Sequence, residues 1–284
     1  DAVERTPSRG ISLSGFLCEW ALMTSLDPAK SLANLIYLGH NCDATSAIHI
    51  TRRRSVDRKK QQTERNVFQC FVFGPKNSGK SAMLASFLGR RFSENHTPPE
   101  QYASNVVKNG SKKTLILREI PEDGVKKLLS DKESLAACDV SVFVYDSSDS
   151  DSFHRAIELL SNVARLGEET VYGMPCLLIA AKYDLNSKPV NIKDAAEEIC
   201  LDMNVDAPVP MSAKEGNPDD VFLKIVEAAE HPHRSIPETQ AGRDGKRNRR
   251  RVYNGLLSIS VGAAAAFIGL AAYRVYYASR KNSN

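Results

Sequence analysis

VFQCFVFGPKNSGKSAMLASFL, residues 67–88, joins a run rich in β-branched and aromatic residues (Val67 to Phe73) to a helical pattern (Ala82 to Leu88) through a glycine-bearing turn. The turn, Gly74-Pro75-Lys76-Asn77-Ser78-Gly79-Lys80-Ser81, fills the phosphate-loop pattern G-x-x-x-x-G-K-[ST] at every fixed position. Glycines let the backbone curl with its N–H groups inward, which makes an anion-binding nest at the positive end of the following helix. Gly74, Asn77, Ser78, Gly79, Lys80, Ser81 and Ala82 are therefore the expected phosphate-binding residues. Lys80 supplies a point charge for the β and γ phosphates and is the expected catalytic residue, while the Ser81 hydroxyl is placed to ligate a bridging Mg²⁺. The plain alternative is a chance Gly-Lys-Ser turn. The strand before it and the helix after it argue against chance.

Outward from this stretch, strands and helices alternate from Asn66 to Glu230. Strands are expected at 67–73, 103–107, 114–119, 140–145, 176–181 and 208–211, with helices at 81–88, 124–137, 152–166, 192–203 and 219–230. Apolar strands flanked by amphipathic helices predict an α/β domain with a mainly parallel sheet covered on both faces and ligands at the C-terminal strand ends.

Two later stretches choose the base. Ala181-Lys182-Tyr183-Asp184 matches the guanine-specifying [NT]-K-x-D motif at Lys182 and Asp184, and Met211-Ser212-Ala213-Lys214 matches the S-A-K loop. An Asp at this place accepts both hydrogen bonds from the N1–H and N2–H₂ edge of guanine, which adenine cannot supply. Lys182, Asp184, Ser212, Ala213 and Lys214 are thus expected to hold guanine, and an ATP-dependent phosphate-loop enzyme is disfavoured. The hydrolytic machinery departs from the Ras-like pattern. Where D-x-x-G and a water-positioning Gln belong, the third strand runs into Glu119-Ile120-Pro121-Glu122-Asp123-Gly124. Thr97, in His96-Thr97-Pro98-Pro99, is the best candidate for a second Mg²⁺-ligating hydroxyl, with Ser104 behind it. GTP and GDP binding with Mg²⁺ and slow hydrolysis follow; the alternative is a pseudo-GTPase scaffold that docks partners without turnover.

The flanks differ in character. Residues 1–50 hold two helical patterns, Leu13 to Leu26 and Ala29 to Leu38, the second opened by Asp27-Pro28. Arg9-Gly10-Ile11-Ser12-Leu13 has the outline of the back half of an EF-hand loop. Arg5, Pro7, Arg9 and Phe16 stand where oxygen ligands belong, so no calcium is assigned and the unit is read as a degenerate EF-hand. Residues 51–65 read as a basic linker or solvated helix, and 231–253 as a basic tether. Residues 254–275 contain Gly255 to Tyr273, free of charge and roughly 28 Å long as a helix, enough to cross a bilayer. Tyrosines flank it, and basic residues before it outnumber those after it, which predicts a tail anchor with the large domain in the cytosol and a short tail, 276–284. The net charge of +4 is mild, and neither basic cluster is interleaved with aromatics, so no nucleic-acid partner is expected. The six cysteines form no C-x-x-C pair and predict buried, reduced thiols without zinc or disulfides. Opening at Asp1 inside a pattern, the chain is expected to be the C-terminal part of a longer protein.

Taken together, these features resemble Miro, the mitochondrial Rho-like GTPase family, in its plant form: Gly15-Phe16-Leu17 and Trp20-Ala21-Leu22-Met23 closing a degenerate EF-hand unit, a basic linker, a divergent GTPase domain with Gly74 to Ser81 and Ala181-Lys182-Tyr183-Asp184, and a tail anchor. The resemblance covers essentially the whole chain. It implies a Ras-like phosphate-loop fold, residence in the mitochondrial outer membrane, calcium binding only through a preceding part, and a role in mitochondrial movement, distribution and morphology through cytoskeletal motor adaptors or organelle-contact proteins.

Overall fold

Strand β1, Val67–Phe73, is the centre of the molecule because its residues are apolar on both faces, as a strand covered on both sides requires. The computed structural model describes residues 10–40, 43, 51–90, 92–93, 101–108, 110–169, 173–185, 190–215, 219–245 and 247–248. In chain order the elements are α1 (Leu13–Leu26), α2 (Pro28–Tyr37), α3 (Arg54–Lys60), β1, α4 (Lys80–Phe87), β2 (Gln101–Lys108), β3 (Ser111–Glu119), a 3-10 turn (Glu122–Gly124), α5 (Val125–Ser130), α6 (Lys132–Ala136), β4 (Val140–Asp146), α7 (Ser150–Glu169), β5 (Cys176–Ala181), α8 (Val190–Asp202), β6 (Val209–Pro210) and α9 (Asp219–Glu230). The six strands form one sheet in the order β2-β3-β1-β4-β5-β6. All neighbours are parallel except the edge pair β2 and β3, a hairpin closing at Lys108 opposite Ser111.

Alternation along each strand sorts the core into two layers. On one face Phe68, Cys70 and Val72 of β1, with Leu115 and Leu117 of β3 and Val142 and Val144 of β4, meet Met83, Leu84 and Phe87 of α4 and Phe222 and Ile225 of α9. On the other, Phe71, Phe73, Phe143 and Tyr145 meet Val125, Phe153, Leu160, Val163 and Ala196 from α5, α7 and α8. Phe73 stacks on Phe143 with centroids 5.2 Å apart. Each such fully buried side chain stabilises the fold by about 1.5–3 kcal/mol relative to exposure.

Helix α1 starts where the Ser12 hydroxyl accepts the Gly15 N–H, and α2 starts where Asp27 accepts the Lys30 N–H ahead of Pro28. The helical unit is docked on the sheet, for Cys18 and Leu22 of α1 pack on buried Ile116 of β3.

Three expectations need correction. The single helix over 124–137 is two short helices, because the Asp131 carboxylate accepts the Glu133 and Ser134 N–H groups and so starts a new helix. The basic stretch 51–65 does carry a helix, Arg54–Lys60, but it is pinned to the domain and not a solvated linker. Arg65 pairs with Asp57 at 3.0 Å, Arg54 with Asp139 at 2.7 Å, and Arg58 donates to the Cys138 carbonyl at 2.6 Å. Nor does a tether begin at His231. The Ser235 carbonyl accepts the Cys176 N–H at 2.7 Å, and the Glu238 N–H donates to Met203. The chain divides after Glu238 into two units, and in the second the Thr239 hydroxyl accepts the Gly242 N–H as a helix begins. Residues 254–275 and Thr97 lie outside the described residues. Among those described, no helix is long and apolar enough to cross a membrane. Cys18, Cys70, Cys138, Cys176 and Cys200 are buried free thiols.

Candidate functional site

The turn after β1 is shaped by two glycines at positive φ, of which Gly74 leaves no room for a side chain and Gly79 little. Gly74 sits at φ +151°, and a Cβ there would lie 2.3 Å from the Val144 carbonyl oxygen. Gly79 sits at φ +105°, and its Cβ would lie 3.1 Å from the Ala181 Cβ. Asn77, at φ +63°, adds a left-handed residue of the kind whose short polar side chain tolerates that region. Helix α4 then begins at Lys80, with Ser81 and half-buried Ala82 in its first turn.

Lys80 is buried, and its ammonium donates to the carbonyls of Gly74 and Pro75 at 3.0 and 2.8 Å. Burial lowers its pKa from the ordinary lysine value, opposed by the carboxylates of Glu119 and Glu122. The Ser81 hydroxyl donates to Glu119 Oε2 at 2.9 Å, and Glu119 Oε1 lies 3.9 Å from Lys80 Nζ. The Ser78 hydroxyl is buried with no hydrogen-bond partner among the described residues. A glycine-walled turn, an ammonium aimed back across it and an orphaned hydroxyl inside it fit an oligophosphate. The paired hydroxyl and carboxylate are the hard oxygen donors that Mg²⁺ prefers.

Beside this loop stands the second sequence motif. Ala181 closes β5 against Gly79, so Lys182, Tyr183 and Asp184 leave the sheet next to the phosphate loop. Ala181 takes the place where the motif has Asn or Thr. Its methyl group faces the loop where those residues would bring a polar group. Lys182, at φ +55°, reaches back to Asp146 at the end of β4, with Nζ 2.6 Å from Oδ2. Asp146 also accepts the N–H and the hydroxyl of Ser148 at 2.9 and 2.6 Å. Burial raises the Asp146 pKa, but Lys182 and Ser148 outweigh it and hold the carboxyl below its usual range. The Ser212 hydroxyl donates to Asp184 Oδ1 at 2.7 Å and accepts the N–H groups of Lys214 and Glu215, each at 3.2 Å. Ala213 lies in the turn these bonds close, and the Lys214 ammonium lies over the Phe92 ring, 5.3 Å from its centroid.

The structure thus brings Gly74 to Ala82, Lys182, Asp184 and the 212–214 turn to the C-terminal edge of one sheet. Three residues that the motifs do not name join them: Asp146, Glu122, whose carboxylate accepts the Lys76 N–H at 3.0 Å, and Arg155, 3.8 Å from Glu122. Asp146 had a visible signal, a carboxylate followed by two serines at the end of an apolar strand.

A mainly parallel sheet ordered 2-3-1-4-5-6, with β2 antiparallel at its edge, a phosphate loop after its first strand and a Lys-x-Asp turn after its fifth define a Ras-like nucleotide-binding domain. The Ras family profile matches residues 69–231, and the EF hand associated profile matches residues 1–62. Over 287 residues the chain is 58% identical to Mitochondrial Rho GTPase 2 and 55% identical to Mitochondrial Rho GTPase 1, both of Arabidopsis thaliana. Each alignment covers 100% of this chain and 44% of the relative. Mitochondrial Rho GTPase 1 of Saccharomyces cerevisiae is 32% identical over 248 residues, covering 82% of this chain and 37% of its own length. The chain belongs to the Ras family and, within it, to the plant branch of the mitochondrial Rho GTPases, the Miro family; it spans less than half the length of these relatives.

Proposed function

We propose that residues 66–230 form a guanine-nucleotide switch that binds GTP and GDP with Mg²⁺ and hydrolyses GTP slowly. The observation that carries this reading is the close approach of Gly79 to Ala181, where a Cβ on the glycine would lie 3.1 Å from the alanine Cβ, which sets the phosphate loop beside the Lys182-Tyr183-Asp184 turn. Gly74, Asn77, Ser78, Gly79 and Ala82 wrap the phosphates, and Lys80 leaves its two carbonyls to balance their charge. Asp184, aimed by Ser212, accepts the guanine edge, while Lys182, steadied by Asp146, lies along the base. Ala213 and Lys214 complete the turn around the base.

Ser81 would hold Mg²⁺ directly, with Glu119 behind it and Thr97 as a further ligand; bound there, the ion neutralises charge on the phosphates. Slow turnover follows from the residues after β3. Glu119 is followed by Ile120-Pro121-Glu122-Asp123, with no Gln to orient a water.

The relatives' names support a mitochondrial setting. In this reading residues 254–275 anchor the chain in the outer membrane with the nucleotide domain facing the cytosol, where it acts in mitochondrial trafficking, distribution and morphology through motor adaptors or organelle-contact proteins. The alternative is a pseudo-GTPase scaffold that docks cytoskeletal or organelle-contact partners without hydrolysis, favoured by the same missing Gln.

Fluorescent GTP, GDP and ATP titrated with Mg²⁺ onto the whole chain, followed by single-turnover phosphate release, separate the readings. Selective guanine binding that Asp184→Asn converts to xanthine binding, with slow phosphate release, supports the switch. Selective binding with GTP intact for hours supports the scaffold, and no binding overturns the nucleotide-site reading of Gly74 to Ser81.

A further inference from the structure

The phosphate loop carries an acidic contact that the fold does not require. Glu122 Oε2 accepts the backbone N–H of Lys76 at 3.0 Å, and its other oxygen lies 3.8 Å from the exposed Arg155 guanidinium. A carboxylate therefore rests on the anion-binding loop itself.

Its position along the loop decides what it meets. The base-binding turn abuts Gly79 at one end of the loop. Lys76 lies toward the end of β3, because its N–H is bonded to Glu122, three residues beyond the last residue of that strand, Glu119. A nucleotide with its base at Asp184 and its phosphates running along the loop brings its outermost phosphate to the Lys76 side. GDP ends one phosphate short of a triphosphate there. GTP must displace the Glu122 carboxylate from the Lys76 N–H and place fresh negative charge beside it.

We propose that Glu122 is a specificity-determining residue that biases this site toward the diphosphate because its negative charge, held at the Lys76 N–H, repels a third phosphate. The inference rests on the guanine-nucleotide reading above. Arg155 keeps the displaced carboxylate close, so the bias acts in both nucleotide states. With Glu122 45% exposed, like-charge repulsion at contact distance amounts to on the order of a ten-fold difference in affinity.

The test measures dissociation constants of GDP and of a non-hydrolysable GTP analogue at fixed Mg²⁺ on the whole chain, for wild type, Glu122→Gln and Glu122→Ala. Gln keeps an acceptor for the Lys76 N–H without the charge, and Ala removes both. The expected result is tighter GDP than analogue binding in wild type. In both variants the ratio narrows by about ten-fold, chiefly through the analogue, while GDP affinity changes by less than about two-fold. An unchanged ratio in Glu122→Gln, with wild type still binding both nucleotides, overturns the proposal alone. Narrowing in Glu122→Ala but not in Glu122→Gln also overturns it, because the lost hydrogen bond and not the charge would then be responsible. Absence of binding in all three proteins overturns the nucleotide-site reading and this inference with it.

Discussion

Lys182 Nζ stands 2.6 Å from Asp146 Oδ2, so the ends of β5 and β4 are joined by an ion pair beside the phosphate loop. The lysine of the base motif is thereby aimed by a residue outside the motif. Replacing Asp146 by Asn removes the charge and keeps the shape. With Lys182 38% exposed, solvent screens the pair, and the expected effect is about five-fold weaker binding of GTP and GDP alike, with guanine selectivity unchanged. Nucleotide titrations on the two proteins check it; a change in selectivity would count against the aiming role.

The same pair has a pH signature. Lys182 and Ser148 hold the Asp146 carboxyl below its usual range against the opposing pull of burial. A carboxylate whose folded pKa is depressed adds stability above its unfolded value, and that stability fades as pH falls through the folded value. The gap in melting temperature between wild type and Asp146→Asn should stay constant from neutral pH down to about pH 4 and close below it. Thermal melts from pH 7 to pH 3 read this directly, and a gap that widens on acidification would contradict it.

Gly74 and Gly79 should differ in their tolerance of alanine. At Gly74 a Cβ meets the rigid Val144 carbonyl at 2.3 Å, whereas at Gly79 it meets a methyl group at 3.1 Å. Both positions also carry positive φ strain. Gly74→Ala is expected to cost on the order of 3 kcal/mol and Gly79→Ala about 1–2 kcal/mol. Denaturant unfolding monitored by circular dichroism ranks them, and equal costs would show that β4 yields to the intrusion.

How much of this could be read from the sequence depended on distance along the chain. The phosphate loop, the Lys182-Tyr183-Asp184 turn and the Ser212 turn are local patterns, and each lies at the strand end where it was expected. The Asp131 break was hidden because a helix-starting Asp looks the same as a surface Asp in an amphipathic helix. The Glu122 contact with Lys76 spans 46 positions, the Lys182 pair with Asp146 spans 36, and Arg54 reaches Asp139 across 85. Composition registers such charges only as solvated surface, which is why residues 51–65 looked like a linker.

Buried thiols give a fourth expectation. Burial pushes the Cys138 thiol up to about 11 and the Cys200 thiol to about 12, and raises Cys70 and Cys176 well above the ordinary value. At pH 8 these four should react with a thiol reagent at least about 100-fold more slowly in the native protein than in urea. Peptide-resolved alkylation by mass spectrometry measures this; fast native labelling of Cys138 would mean that the layer between β4 and α5 opens readily.

The last prediction concerns the segment ahead of β1. Asp57 and Arg65 are 5% and 9% exposed, and they pair at 3.0 Å. Arg65 also donates to the Thr51 hydroxyl at 2.6 Å and to the Arg52 carbonyl, while Thr63 donates to Asp57 at 3.2 Å. Removing one member of a buried pair strands the other charge, so Arg65→Ala should destabilise the protein by about 3 kcal/mol. Asp57→Asn should cost less, because the guanidinium keeps its two other acceptors. Replacing both with leucine should recover most of the loss, since well-packed apolar side chains often match a buried pair. Urea unfolding of the four proteins ranks these costs. If Arg65→Ala instead costs below about 0.5 kcal/mol, as ordinary surface changes do, residues 51–65 are a solvated tether and not part of the folded domain.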